Sequence, residues 1–508
     1  MNSRSVSFVD RLELEFTGNH FSHALTLGDV DGDGLNEFII GNVEGQLSVF
    51  KGNTSGKPWR SATGLGSITC VTTGDLFNTG KVQLICINAM GMCYIFSLYR
   101  SSKSRTGSAV EPVHTQELPP NIKVMIIASI APDNKEELFV GHTDRYIGVY
   151  RWTNDFNRLE LRHRLTLERQ IGSLSVTMTS DGRSQLLVSQ VGGTYVPLEY
   201  VENVEDLFPS ISSSSMLSDN STKDIQDSSD TGRGDKENYI NMSLENEPEE
   251  KRRASDSVSL KQNKTPKVSR HSSTGDVLET KIRRNSSRSS FKGSESLLSR
   301  YRLHVNGIVG IAQRNSPSSV TEAVGDLTSK SDLFDEEQKH SNIVALCTLG
   351  GCIRFMKDEK KIWEHQVDHN LFAISKLDVT NDGQDEIIVC SWNGVTYILD
   401  HSRNVVRYKF EDNVCAFCAG MFGFTSEHNK PVLIYSTFFN KIYVYHNITL
   451  SSIPPSNLTL QLSRKAIVPE EIGRTLQSMS DEDKRRLIQG LLYNTQDIST
   501  IISYFKNQ

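Results

Sequence analysis

Asn36–Phe50 reads NEFIIGNVEGQLSVF: a continuous apolar run, a Gly-containing turn, and a second apolar run that ends on an aromatic ring. Two further stretches repeat it closely, DEIIVCSWNGVTYIL (Asp385–Leu399) and EELFVGHTDRYIGVY (Glu136–Tyr150). Four looser ones read VQLICINAMGMCYIF (Val82–Phe96), SQLLVSQVGGTYVPL (Ser184–Leu198), SNIVALCTLGGCIRF (Ser341–Phe355) and KPVLIYSTFFNKIYVY (Lys430–Tyr445). One such hairpin cannot bury its own apolar face, so repetition of this kind means units that stack on their neighbours.

The spacing identifies the stack. Indexed on the residue before the first apolar run (Glu37, Gln83, Glu137, Gln185, Asn342, Glu386, Pro431), the copies lie 46, 54, 48, 157, 44 and 45 residues apart. Five of these six steps sit near one propeller blade of ~40–50 residues. An earlier strand is expected upstream of each copy, at Ala24–Leu27, Ile68–Thr72, Val124–Ala128, Leu174–Met178, Gly307–Ala312, Phe372–Leu377 and Ala416–Met421. With a fourth, less regular strand, each unit becomes a four-stranded antiparallel blade. Runs such as FIIG and IIVC are apolar at every position, as inner strands covered on both faces must be. The fold class predicted is all-β, a seven-bladed β-propeller.

The outlying step of 157 residues marks an insertion. Between Tyr200 and Tyr301 the composition turns to Ser, Asn, Lys, Arg and Glu, and 22 of the 90 residues from Ile211 to Arg300 are Ser. A segment this poor in apolar residues cannot offset its ordering entropy, which predicts disorder. The organisation predicted is blades one to four at 5–200, a Ser-rich basic insertion at 201–302, and blades five to seven at 303–448 with an acidic loop at 315–340. Closing a loop of ~100 residues in place of ~5 costs only about 2.5–3 kcal/mol. One interrupted ring is therefore expected rather than two fragments with open sheet edges. VSFVDRLELEF (Val6–Phe16) is the candidate to close that ring against the last blade.

After Ile453 the pattern turns helical. Ser480-Asp-Glu-Asp483 is an N-cap sequence ahead of Leu487, Ile488, Leu491 and Leu492, and Asp497–Phe505 repeats the idea. The tail at 453–508 is expected to form short helices, packed on the propeller or laid in a partner's groove.

Charge and cysteines bound the setting. The chain carries a net −6, yet Lys251–Arg300 holds 13 Lys/Arg against 4 Asp/Glu, leaving −15 for the remainder. That basic stretch reads as solvated chain, with RRAS (Arg252–Ser255) and RRNSS (Arg283–Ser287) as candidate phosphorylation sites; no nucleic-acid partner is predicted. The eight cysteines lie mostly in apolar strands, including Cys415 and Cys418 of a lone C-x-x-C, which suits core thiols in a reducing compartment. MNSRSVSFVDRLELEF alternates and lacks a long apolar run, so a cytoplasmic protein without leader or membrane insertion is expected.

Motifs that carry chemistry are scarce. GDLFNTGK (Gly74–Lys81) has the outline of a phosphate loop, but its second Gly is one residue late and Val82 stands where a hydroxyl is required. No catalytic site is predicted. One motif has metal logic: in GDVDGDGLNE (Gly28–Glu37), Asp29, Asp31 and Asp33 alternate, Gly34 permits a sharp turn, and Glu37 follows. Ca²⁺ takes six to eight oxygens from loops of this type. Asp29, Asp31, Asp33 and Glu37 are the candidate calcium ligands, with Asp378, Asp382 and Glu386 a weaker echo in DVTNDGQDE. Against this, Asp and Asn also close turns by bonding their own backbone, with no metal involved.

GDVDGDGLNEFIIGNVEGQLSVF resembles an FG-GAP repeat of the integrin-α propeller type, with Gly41-Asn42-Val43 where that repeat has Gly-Ala-Pro. Together with GHTDRYIGVYRW, VDHNLFAISKLD, WNGVTYILDHSRNVVR, CAFCAGMF and FNKIYVY, it is similar to the FG-GAP propeller subunits of the KICSTOR complex. The likeness covers about Val6–Leu198 and Asn342–His446. It implies a non-catalytic scaffold whose partners are the other KICSTOR subunits, among them a large scaffold subunit and a kaptin-like propeller, and the GATOR complex. It further implies recruitment to the lysosomal membrane surface and restraint of TOR kinase signalling when amino acids are scarce. The alternative is a calcium-binding FG-GAP adhesion or sensor module.

Overall fold

The computed structural model describes residues 4–99, 108–179, 181–202, 301–305, 308–309, 319–329, 342–424, 428–454, 480, 482, 483 and 485. The expected insertion, apart from its two ends, and almost all of the expected helical tail lie outside them. The described residues fall into one compact unit.

That unit is a seven-bladed, all-β propeller. From the axis outward, blade one consists of Leu25–Gly28, Glu37–Gly41, Leu47–Phe50 and Pro58–Ala62. Blade two is Ile68–Gly74, Gln83–Asn88, Met92–Phe96 and His114–Glu117; blade three is Ile122–Ala128, Glu137–His142, Tyr146–Thr153 and Arg158–Thr166. Blade four is Ile171–Met178, Ser184–Gln190, Thr194–Glu202 and Tyr301–Val305. Blade five is Thr321–Val324, Ile343–Thr348, Cys352–Lys357 and Lys360–Gln366. Blade six is Leu371–Leu377, Glu386–Ser391, Val395–Leu399 and Val405–Lys409; blade seven is Val414–Phe422, Lys430–Thr437, Ile442–Tyr445 and, from the other end of the chain, Arg11–Leu14. Each inner strand touches that of the next blade, and the seventh returns to the first.

Closure comes from the N-terminal stretch, as its alternating pattern predicts. Leu12 and Leu14 pair antiparallel with Val444 and Ile442. Arg4–Val6 adds a parallel edge strand to blade six. Every blade then has its outer strand, and the ring has no seam left unpaired.

The continuously apolar second strands are explained by the packing. Alternate side chains point to opposite faces of a strand. In blade one, Phe38 and Ile40 enter the cluster shared with blade seven, while Ile39 enters the one shared with blade two. Ile388 and Cys390 of blade six face blade seven, and Ile387 and Val389 face blade five. Among the described residues each of the seven interfaces has its own apolar cluster. The interface of blades six and seven is the most aromatic, with Tyr408, Phe410, Phe417, Tyr435, Tyr443 and Tyr445 buried together and Phe410 stacked on Tyr435 at 4.6 Å. The interface of blades four and five is smaller and more polar. Leu187, Tyr195, Ala323, Val344, Leu346 and Met356 pack there beside a hydrogen-bonded seam in which Ser189 Oγ donates to the Thr321 carbonyl at 2.7 Å.

Two features differ from the pattern read in the sequence. The inner strand of blade five is Thr321–Val324, inside the stretch read as an acidic loop, and not Gly307–Ala312. Of that earlier candidate, Val309 instead forms an isolated bridge with Tyr195 of blade four. TEAV escapes an apolar-run search because it is short and carries Glu322 toward the axis. Secondly, Val201 and Glu202 pair with Arg302 and Tyr301, so blade four's outer hairpin extends into both ends of the stretch read as insertion. The long segment therefore joins the third and fourth strands of one blade, and both its ends are fixed by a ladder.

Of the tail, Ser480 Oγ accepts the Asp483 N–H at 3.2 Å, the cap bond that the sequence predicts there. Ile453, where the tail begins, is buried against blades six and seven.

Candidate functional site

The acidic turns lie between the first and second strands of their blades, and their conformation follows from residue type. Three positions after the leading Asp the backbone is left-handed in each: Gly32 (φ 75°), Asn78 (φ 54°) and Asn381 (φ 55°). Five positions after it the residue is again left-handed, and is Gly34, Gly80 or Gly383. Gly and Asn are the residues that adopt this region at least cost. The leading Asp then collects the loop's amides. Asp29 accepts N–H groups from Gly32 (2.7 Å), Asp33 (3.2 Å) and Gly34 (2.9 Å). Asp75 accepts from Thr79 and Gly80, and Asp378 from Asp382 and Gly383. In GDLFNTGK these loop amides are thus spent on Asp75, in a strand–turn–strand setting unlike a phosphate cradle.

The residue that opens the second strand has an equally local task. Glu37 accepts the Val30 N–H at 2.9 Å, Glu386 the Val379 N–H at 2.8 Å, and the amide of Gln83 the Phe77 N–H at 3.0 Å. A neutral Gln does the same work as Glu, so this contact needs no negative charge.

What differs is the residue facing that position from the third strand. Phe38 pairs with Phe50, which sets Lys51 opposite Glu37; Leu138 pairs with Tyr150, which sets Arg151 opposite Glu137. By the same register Gln185 faces Glu199, and Glu386 faces Asp400. In blade one the Lys51 ammonium lies 2.7 Å from Asp31, 2.6 Å from Asp33 and 3.0 Å from Glu37, and above the Trp59 ring. In blade three Arg151 makes a two-pronged contact with Asp133 (2.6 and 3.1 Å), and its Nε donates to Glu137 at 3.0 Å. Tyr200 of blade four completes that site by donating to Glu137 at 2.9 Å. In blade six Asp400 is turned aside, accepting from the backbone and side chain of Asn404.

The charges respond accordingly. Burial alone would lower the Lys51 pKa, but its bonds to Asp31, Asp33 and Glu37 outweigh that and raise it. Burial pushes Glu37 up to about 7, against the pull of Lys51 and the Val30 N–H. Three carboxylates surround the ammonium, with Arg60 also acting on Asp31, so the ammonium stays charged and the most buried carboxylate holds a proton most readily. Glu386 is also pushed up to about 7 by burial, opposed by the Val379 N–H and the Thr380 hydroxyl.

Of the four candidate calcium ligands, the structure thus gathers Asp31, Asp33 and Glu37 about Lys51 and commits Asp29 to the turn. Oxygens of Asp29, Asp31 and Glu37 come within 4.8 Å of one another, as do those of Asp378, Asp382 and Glu386. The Lys51 ammonium lies among the carboxylates of Asp31, Asp33 and Glu37.

Elsewhere the molecule offers an axial cavity and an exposed aromatic group. Inner strands of all seven blades line a cavity of about 400 Å³. Within it His23 stands 3.9 Å from Glu322. Burial, reinforced by Lys123, brings His23 down to about 4, and burial pushes Glu322 up to about 7, so at neutral pH this is not an ion pair. On the outside, Trp392 (42% exposed), Phe438 (59%) and Phe439 (72%) project from the hairpin turns of blades six and seven. Their turns flank one linker: the Val414 N–H donates to the Trp392 carbonyl at 2.8 Å, and the Phe438 N–H to the Asn413 carbonyl at 3.4 Å. No motif marks these aromatics in the sequence, because a single exposed ring has no signature of its own.

The family model described as integrin-alpha FG-GAP repeat-containing protein 2 matches residues 51–243 and 252–450. The chain belongs to this family. A mouse relative (Mus musculus), "KICSTOR complex protein ITFG2", is 31% identical over 513 residues, covering 98% of this chain and 94% of that protein. Its cattle counterpart (Bos taurus) is 34% identical over 472 residues, covering 90% and 73%. Among solved structures, a crystal structure of BBS1N in complex with ARL6DN superposes with a TM-score of 0.51 at 12% identity, over 89% of this chain and 99% of that one. At that identity the structural likeness speaks for the fold alone. Among the described residues of this family member, no helix is long and apolar enough to cross a membrane.

Proposed function

We propose that this chain is a non-catalytic scaffold subunit of a KICSTOR-like complex. In this reading it docks other subunits, a large scaffold protein and a kaptin-like propeller among them, and helps hold the GATOR complex at the lysosomal surface. Its effect is to restrain TOR kinase signalling when amino acids are scarce. The observation that carries the reading is the 31% identity to a KICSTOR complex protein along 98% of the chain. The architecture suits the task, because a rigid ring presents two faces and a rim on which loops can carry recognition. Trp392, Phe438 and Phe439 fit a contact surface for such a subunit, since exposed rings of this size are a cost to a monomer and an anchor in an interface.

The test is affinity purification of the tagged full-length protein from fed and starved cells, beside a Trp392→Ala/Phe438→Ala/Phe439→Ala variant. Recovery of KICSTOR-type and GATOR subunits with the parent protein is expected. The triple variant, folded with an unchanged melting temperature, should recover markedly less. A parent protein that brings down none of these partners in either condition rejects the assignment.

A further inference from the structure

We infer that Lys51 is the resident cation of the blade-one turn, taking from within the chain the place a calcium ion would hold. The composition of this turn suits a divalent ion: alternating carboxylates on a loop and a Glu at the start of the next strand. Here the third strand delivers a cation to that point. Lys51 Nζ lies within 3.0 Å of carboxylates from Asp31, Asp33 and Glu37 at once, and the Asp31 and Glu37 side chains are almost wholly buried. Surface lysines do not gather three acids in this way. The Trp59 ring, 4.8 Å from Nζ, shelters the ammonium on another side and adds cation–π attraction.

Two further observations support the reading. Arg151 reaches the corresponding acids, Asp133 and Glu137, from the corresponding ladder position, so a cation meets acids in the same way in a second copy of the repeat. Moreover, Asp31 Oδ1 is buried without a hydrogen-bond partner. An oxygen left over in this way is expected where one ammonium, with only three protons to donate, stands in for an ion that would engage more oxygens. The consequence is a ring held by its own charges, with its contact surfaces formed whatever the calcium level.

The test is thermal unfolding of the full chain, with 10 mM CaCl₂ or 10 mM MgCl₂ against EDTA, for the parent protein and for Lys51→Met. The parent protein should melt at the same temperature in all three. Lys51→Met should melt several degrees lower in EDTA and regain at least half of that loss in calcium, with less from magnesium. A parent protein stabilised by calcium as much as the variant overturns the proposal, as does a folded Lys51→Met indifferent to calcium. Should Lys51→Met fail to fold, side-chain ¹⁵N NMR of the parent protein decides. A Lys51 ammonium with protons exchanging far more slowly than those of exposed lysines supports the assignment, and exchange at the exposed rate overturns it.

Discussion

Blades one and six carry nearly the same turn, GDVDGDGLNE at Gly28–Glu37 and DVTNDGQDE at Asp378–Glu386, and balance its charge in different ways. In both, the leading Asp gathers loop amides and the closing Glu accepts the amide seven residues back. In blade one a lysine from the third strand then enters the acids. In blade six the facing residue is Asp400, and Glu386 is satisfied by backbone and hydroxyl donors alone. The turn is thus built by residue types legible along the chain, whereas its electrostatics are set by one residue across the ladder.

The largest effect should come from removing a cation. Arg151→Met leaves Asp133 and the buried Glu137 unbalanced, and breaking a buried ion pair from one side costs about 3–5 kcal/mol. Urea unfolding should show that loss. A Glu137→Gln/Arg151→Met double variant should lose less than the single, because the more buried of the two orphaned charges is then gone.

Blade six should instead reveal itself through pH. The folded-state pKa of Glu386 is raised to about 7, so the protonated form is favoured by folding. Its contribution is complete below the unfolded value near 4.5 and is lost as pH rises through 7. Each pH unit between the unfolded and folded values is worth about 1.4 kcal/mol, so Glu386→Gln should remove ~2–3 kcal/mol of the decline in stability between pH 5 and pH 8. A wild-type and variant difference that stays constant across that range contradicts the assignment.

Smaller losses test the shared part of the turn. Asp29→Ala and Asp378→Ala each strip loop amides of their acceptor and should cost about 1–2 kcal/mol. The two losses should be similar, since this contact does not depend on Lys51. The finest comparison is Asp400→Lys, which transplants the blade-one arrangement into blade six. Its stability change should be small, because Asp400 also caps Asn404. Carbon-detected NMR titration should nevertheless show Glu386 ionising at lower pH than in the parent protein.

Much of this was legible in the sequence. Six of the seven expected inner strands are present, because Val- and Ile-rich runs punctuated by Gly and Asn are specific for short buried strands. Ring closure by Val6–Phe16 was legible for the same reason, alternation with no other sheet to join. Thr321–Val324 was not, since a four-residue strand with a Glu toward a polar channel has no apolar signature. The acidic residues Asp29, Asp31, Asp33 and Glu37 stand out along the chain as a motif, whereas Lys51, one residue beyond the repeat that reveals the fold, belongs to no motif.

Local order and repetition thus determined the number of blades, the turn conformations and the family, because each depends on residues near one another along the chain. Tertiary structure alone decided which acids meet a cation, which hairpin carries the long insertion, and which aromatics of blades six and seven share a face. Those outcomes depend on strand register and on the packing of one blade against the next, and a one-residue change in register would exchange every one of these partners.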